Sequence, residues 1–178
     1  FMINNFHLLQ RKLFTVDIIA NHMENRPVPE VDIMMYAGKW YSILSIPRFF
    51  NKHWRQIIET YVIHPDGYYA VFTTYKVVNE EQTKYFRSKL SAVRGSKNTQ
   101  FKLQVVWPFK DDYWVIELAE DYSYAVVGHP HLKALTIMSR RPELPEDLLS
   151  DILGRCRRKG YDTSLLISQD HHVIHQPA

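Results

Sequence analysis

The sequence predicts an all-β fold: an eight-stranded antiparallel up-and-down barrel with a C-terminal α-helix packed outside it. Three observations lead there. From Trp40 to Ser139, short runs rich in Tyr, Val, Ile, Phe and Thr alternate with turn residues about every ten positions, the rhythm of a sandwich or barrel. Only short turns separate the runs, so they form a meander, and eight meandering strands lose both exposed edges by closing on themselves. After Leu144 the apolar period changes to that of a helix.

Strands are expected near 39–47, 56–64, 68–77, 83–93, 100–107, 112–119, 123–128 and 134–139. The turns between them carry the residues that tight turns require: His64-Pro-Asp-Gly67, Asn79-Glu-Glu-Gln82, Gly95-Ser-Lys-Asn98, Lys110-Asp-Asp112 and Gly128-His-Pro130. The helix begins at Leu144-Pro145-Glu146-Asp147, with proline at the first helical position and acids in the first turn. Leu148, Leu149, Ile152, Leu153 and Cys156 recur at helical spacing as one apolar stripe that should lie on the barrel wall. Arg155, Arg157, Arg158 and Lys159 close the last turn, and Gly160 ends it.

The organisation read from the chain is an N-terminal extension over residues 1–30, a barrel with its helix over 31–170, and a tail over 171–178. The extension ends in Arg26-Pro-Val-Pro-Glu30, a stiff linker by composition, and Phe6, Leu9, Leu13 and Phe14 are spaced for a short amphipathic turn. With 46% hydrophobic residues the chain carries a full core, and a scattered net charge of +3 is too diffuse to point to nucleic acid. Its single cysteine excludes an intrachain disulfide. Phe1 to Ala20 interleaves Arg11, Lys12 and Asp17 with apolar side chains, so no clean secretory apolar run is legible there, nor a lipid-attachment cysteine.

Charge alternation alone orients two strands. In Tyr85–Ala92, Arg87 and Lys89 must face water, which sends Phe86, Ser88, Leu90 and Ala92 inward. In Phe101–Trp107, Lys102 and Gln104 face out, which sends Leu103, Val105 and Trp107 inward.

Three separated motifs add a family resemblance. Gly38-Lys39-Trp40-Tyr41, preceded by Val31-Asp32 and Tyr36, is similar to the G-x-W-Y signature that opens the first strand of lipocalins. Glu120-Asp121-Tyr122-Ser123-Tyr124-Ala125 resembles their D-Y-x-x-A segment, and Ile137-Met138-Ser139-Arg140-Arg141-Pro142 their S-R-x-P ending of the last strand. The order and spacing over about residues 31–168 resemble the bacterial and apolipoprotein D-like branch.

The resemblance implies that Gly38, Trp40 and Arg140 mark and close the narrow end, with Arg140 stacked on Trp40, a contact worth about 0.5–2 kcal/mol. It also implies that Ile57, Glu59 and Tyr61, Val71, Thr73 and Tyr75, and Thr136 and Met138 face the interior. Such a wall is apolar with several hydroxyls and suits a lipid-like molecule with one polar end. Glu59 departs from the family, where a small residue is common. A carboxyl in an apolar cavity must be paired or protonated, and it would repel a fatty-acid head. Facing inward, Glu59 implies a ligand with a neutral or cationic polar group, or a pairing with Tyr61 or Tyr75; with the strand parity shifted by one it is simply solvated. The loop Arg48–Arg55 corresponds to the family's mouth loop. There Phe49, Phe50 and Trp54 either cap a ligand or pack on the rim, and Arg48, Lys52 and Arg55 are placed to meet anionic lipid heads in a peripheral membrane contact.

The implied function is binding, storage or transport of a small hydrophobic ligand such as a lipid, fatty acid or lysophospholipid, without catalysis or a cofactor, in a bacterial cell envelope. A haem- or pigment-binding barrel is an alternative, with Tyr61, Tyr75 or Met138 as axial group. A protein-interaction module acting through the aromatic loop is another. Intracellular fatty-acid-binding barrels fit less well, because they insert two helices after the first strand. Cys156 reads as a buried structural thiol, and no catalytic motif or metal-spaced Cys/His set is present. His171, His172 and His175 read as tail residues rather than metal ligands, and His129 and His131 as solvent-facing turn residues.

Overall fold

The computed structural model describes residues 23–171. It contains β1 (Gly38–Ser45), β2 (Trp54–Ile63), β3 (Tyr69–Val77), β4 (Lys84–Ala92), β5 (Gln100–Gln104), β6 (Asp111–Leu118), β7 (Tyr124–Gly128) and β8 (Leu135–Ser139). Each is antiparallel to the next, and β1 pairs with both β2 and β8, which closes the barrel. A short helix α1 (Ile33–Tyr36) precedes β1, and the amphipathic helix α2 (Glu146–Arg158) follows β8. A two-residue strand, β9 (Ile167–Ser168), pairs with the far end of β1 and had no signal in the sequence.

The expected strand rhythm is present, with one consequential difference. Strand β5 stops at Gln104 and its hairpin partner β6 resumes at Asp111, opposite Leu103. Inside–outside alternation holds only while the chain stays extended and paired. The reading that placed Trp107 inside the barrel is therefore wrong: beyond β5 the chain bends, and Trp107 is 82% exposed on a loop.

Two cores follow from the two faces of the sheet. Inside the barrel Trp40, Tyr61, Val71, Leu90, Phe101, Val115 and Met138 pack with Tyr36 of α1. Outside it, Ile116 of β6, Val126 of β7 and Ile137 of β8 meet Ile152 and Cys156 of α2, with Leu148, Leu149 and Leu153 alongside. The α2 stripe thus lies on the outer wall, as its period required. Pro145 is the N-cap and not the first helical residue, Glu146 and Asp147 fill the first turn, and Gly160 takes a φ of +95° just beyond the C-cap. Arg155 Nε and Nη2 donate to the Glu117 carboxylate at 3.0 and 2.6 Å, clamping the helix to β6.

The described part of the stretch before the barrel is hydrogen-bonded to it. The Met23 amide donates to Arg158 O and the Val28 amide to Val115 O, both at 2.8 Å, so residues 23–30 run as a strap along the wall. The expected amphipathic turn at Phe6–Phe14 lies outside the described residues.

Arg140 lies over the Trp40 ring at 3.7 Å and closes the narrow end. Its guanidinium also donates to Lys39 O at 2.8 Å and to Met35 O at 2.6 Å, which ties α1, β1 and the end of β8 together. Gly38 sits at φ +93°, a left-handed conformation that side chains strain, so the signature glycine is a backbone requirement. Trp40 itself is fully buried, and its indole nitrogen donates to Tyr36 O at 2.8 Å. Trp40→Ala is expected to cost about 3–5 kcal/mol. Urea unfolding measures this; a loss below about 1 kcal/mol would mean that the base closes without it.

Candidate functional site

The barrel interior divides into two connected spaces. A deep chamber of about 100 Å³ lies above the packed base, lined among others by Ser42, Ile57, Glu59, Thr73, Ser88, Tyr113, Thr136 and Met138. Above it a vestibule of about 750 Å³ opens to solvent between the β1–β2 and β5–β6 loops, with Phe49, Phe50, Trp54, Val106 and Phe109 in its walls. Arg48, Phe50, Trp54, Phe86, Leu103, Val105 and Ala134 border both spaces and form the neck.

A bulge explains how β2 serves both levels. Between Arg55 and Ile58 the register with β3 shifts, and Gln56 takes a φ of +53°. The bulge reverses the parity of the strand, so Trp54 and Ile57 both turn inward although they are three residues apart. Trp54 stacks on Tyr75 with ring centroids 3.6 Å apart and meets Phe86 edge-on at 5.6 Å.

Glu59 faces inward. It sits opposite Trp40 on β1 and Thr73 on β3, and it lines the chamber. Tyr61 Oη donates to Glu59 Oε2 at 2.7 Å, the pairing that the inward orientation implied. Tyr61 Oη also contacts Tyr113 Oη at 2.9 Å, and Tyr113 Oη contacts Tyr36 Oη at 2.7 Å. Each phenol has one proton. Because Tyr61 spends its proton on Glu59, Tyr113 must donate to Tyr61, and Tyr36 to Tyr113. The base therefore holds a one-way chain of three phenols pointing at one carboxylate.

Burial raises the Glu59 carboxyl above its ordinary value, against the opposing pull of the Tyr61 hydrogen bond and the Arg48 charge. Burial likewise pushes Tyr36, Tyr61 and Tyr113 well up, which keeps the phenols neutral. Arg48 forms an ion pair with Asp111, so it does not stand free on the surface as the loop reading supposed. Arg55 donates to Lys52 O and Trp54 O within its own loop. On the other side of Asp111, His129 Nε2 lies 3.1 Å from Oδ1. The His131 amide donates to His129 Nδ1, which leaves the proton on Nε2 to bond Asp111. His129 is buried and its imidazole is held below the ordinary value by that burial, which corrects the solvent-facing reading; His131 is exposed.

The other expected wall residues divide by height. Glu59, Thr73, Phe86, Ser88, Leu103, Val105, Thr136 and Met138 line the chamber. Tyr61, Val71 and Leu90 point inward but belong to the packed layer beneath it, so they support the floor and are not its surface. Ala92 lies lower still, beside the outer groove with Tyr69 and Phe101. Tyr75 is covered by Trp54. Phe49, Phe50 and Trp54 form an edge-to-face series at 5.5 and 5.9 Å on the rim, with Phe49 almost fully exposed.

Sequence reasoning missed Ser42, Ser45 and Tyr113. Ser42 follows Trp40 by two and shares its face, so its signal was available; Ser45 required the bulge between Ser42 and Leu44. Tyr113 was hidden because α2 makes both faces of β6 apolar. Cys156 is fully buried on the wall-facing side of α2, its thiol pushed up to about 12 by burial, a structural group and not a nucleophile. Among the described residues no cluster of three His, Cys, Asp or Glu is arranged to hold a metal ion. His171 packs against Tyr41 and Ser42 O; His172 and His175 lie outside the described residues.

A closed antiparallel barrel, plugged at one end and open at the other onto a ligand-sized space, defines a calyx-type binding protein. The chain belongs to the lipocalin family: residues 31–171 match the model of the lipocalin-like domain. That family binds small hydrophobic ligands. Over 143 residues the chain is 29% identical to the outer membrane lipoprotein Blc of Vibrio cholerae, covering 80% of this chain and 84% of the relative. Over 159 residues it is 30% identical to temperature-induced lipocalin-1 of Arabidopsis thaliana, covering 80% and 81%. Among solved structures, insecticyanin of the tobacco hornworm Manduca sexta superposes with a TM-score of 0.64 at 21% identity, covering 84% of this chain and 85% of that one. Lobster apocrustacyanin A1 gives 0.62 at 13%, covering 78% of each.

The raised Glu59 carboxyl has a consequence for stability. The folded protein holds this proton more tightly than the unfolded chain, so stability declines as pH rises from the ordinary carboxylate range toward the raised value. Glu59→Gln, neutral throughout, is expected to be more stable than the parent near neutral pH and to lose that advantage in acid. Urea midpoints across the range check this, and an effect that is the same at every pH would refute the raised carboxyl.

Proposed function

We propose that this protein binds and carries a small single-chain lipid, with its apolar body in the vestibule and its polar end in the deep chamber. The observation that supports this is the change of character with depth. The vestibule is wide, open and walled mainly by aromatic and aliphatic side chains, whereas the chamber is small and adds the hydroxyls of Ser42, Thr73 and Ser88 and the carboxyls of Glu59 and Asp112 to its apolar wall. A volume of about 750 Å³ falls in the range of sites for drug-sized ligands. The half-buried carboxyl of Glu59 disfavours an anionic end group, because two carboxylates held together in one small space must share a proton. A haem or pigment is less well supported. Of the three candidate axial groups only Met138 borders the chamber, and Tyr61 Oη is already engaged by Glu59 and Tyr113.

Native mass spectrometry of protein purified without detergent tests this reading, with a bound single-chain lipid as the expected result. Leu103→Asp places a charge at the neck and is expected to weaken binding of a fluorescent alkyl probe at least about tenfold, the scale of 1.4 kcal/mol. Unchanged binding by this variant would refute binding inside the barrel.

We further propose that the open end meets a membrane surface, in a cell-envelope location. The names of the bacterial relatives as outer membrane lipoproteins support the location. The rim supports the contact: Phe49, Trp107 and Phe109 are 91%, 82% and 74% exposed around the mouth, with Lys110 and Lys133 beside them. Co-sedimentation with vesicles containing anionic lipid is expected to fall severalfold in Phe49→Ala/Trp107→Ala/Phe109→Ala, with the probe still bound. Full retention on vesicles would refute this contact.

A further inference from the structure

The acids around the barrel interior are not equivalent. Asp111 is paired with Arg48 and His129, and Asp112 with Lys102 at 2.6 Å. Glu59 has no such cation. Among the described residues no lysine, arginine or histidine lies within ion-pair distance of it, and Arg48, the cation whose field reaches it, is engaged by Asp111. Its one hydrogen bond comes from Tyr61 to Oε2. An acid inside a barrel without a partner of its own lacks the compensation that buried charges ordinarily have.

A second observation lies on the neighbouring strand. Ser42 borders the same chamber, is 3% exposed, and its Oγ makes no hydrogen bond. Glu59 stands directly opposite Trp40, so Ser42, two residues further along β1 on the same face, is its diagonal neighbour. Thr73 stands directly opposite Glu59 on the other side and also borders the chamber. A carboxyl without an ion-pair partner is thus flanked by hydroxyls on both adjoining strands, and one of these hydroxyls is an orphan.

Arg48 also borders the chamber but is committed to Asp111, so among the described residues the arrangement is rich in acceptors and has no uncommitted cationic donor. An alkylammonium group supplies what is missing: one positive charge and three N–H donors on a head small enough for a chamber of about 100 Å³. A quaternary ammonium would bring the charge without donors, and a carboxylate would bring more acceptors. An alcohol would satisfy one acceptor and leave the charge uncompensated. We infer that the deep chamber is a site for the protonated head of a single-chain primary amine, with Glu59 as counter-ion and Ser42 and Thr73 as hydrogen-bonding partners. The inference rests on the lipid-binding reading above and specifies the head group.

The phenol chain fits this assignment. With its three protons all directed toward Glu59, the base stabilises the ionised carboxylate from below while its upper side faces the chamber. An ammonium arriving from above would complete the shell of that carboxylate without displacing Tyr61.

The test compares dodecylamine, dodecanol and dodecanoic acid, each below its micelle concentration near neutral pH, by displacement of a fluorescent alkyl probe from the full chain. The parent protein is expected to bind the amine about tenfold or more tighter than the alcohol, and the acid weakest. Glu59→Gln is expected to abolish the amine preference, with a far-UV circular dichroism spectrum like the parent's reporting that the barrel is intact. Ser42→Ala is expected to weaken amine binding severalfold. An acid bound as tightly as the amine, or an amine preference that survives Glu59→Gln, would overturn the head-group assignment while alcohol binding upheld the lipid-binding reading. Failure of all three ligands to displace the probe would overturn both.

Discussion

Closure of the narrow end, where the Arg140 guanidinium lies 3.7 Å over the buried Trp40 ring, is the constraint on which the other features depend. A barrel with an open base would admit water from both ends, and a small polar chamber inside it would lose its low dielectric. Trp40 fills the bottom, and Arg140 covers it while also holding Met35 O and Lys39 O. That second task fixes α1 beneath the barrel and brings Tyr36 into the phenol chain. The signature residues do not border the chamber, yet they determine that it has a floor.

The floor links structure to chemistry. Tyr36, Tyr113 and Tyr61 come from α1, β6 and β2, three elements far apart in the chain, and their hydroxyls meet only because the barrel has closed. All three are held neutral by burial, so they donate without competing as anions. The carboxyl they converge on belongs to the interior face of β2, one residue from side chains on the outer face. Shifting β2 by a single position would carry Glu59 into solvent and dismantle the site. Its orientation is secured by its neighbours: Ile57 and Tyr61 on the same face are both buried.

At the opposite end the design is reversed. The mouth loop is anchored by the Arg48–Asp111 pair and, through Asp111, by buried His129. This frees the aromatic side chains of the loop for the vestibule and the rim. The strap over residues 23–30 reaches the same corner, where Asn25 Nδ2 donates to His129 O at 3.1 Å and Tyr161 Oη donates to Asn25 Oδ1 at 3.1 Å. Wide entrance and narrow floor are therefore held by separate interactions, the first polar and peripheral, the second aromatic and central.

The strands, the terminal helix and its stripe were legible in the sequence because each follows from a local rule: alternation for a half-buried strand, a period near 3.6 for a helix on a wall, and Gly or Asp at turns. Phe86, Ser88 and Leu103 could be oriented because Arg87, Lys89 and Lys102 cannot face an apolar interior. Where that local rule ends, legibility ends. Trp107 was misplaced because β5 stops short of it, and Tyr113 was missed because α2 makes the outer face of β6 as apolar as the inner one. Depth along the barrel has no local signature either: Val71 and Leu90 alternate correctly and still lie beneath the chamber. By itself the sequence determined the barrel, its closing pair and the presence of an unusual acid on β2, since these are encoded in residue type and spacing. Only the tertiary structure decided that Glu59, among the described residues, lies without an ion-pair partner in an open cavity, because that depends on which side chains from other strands arrive within reach of it.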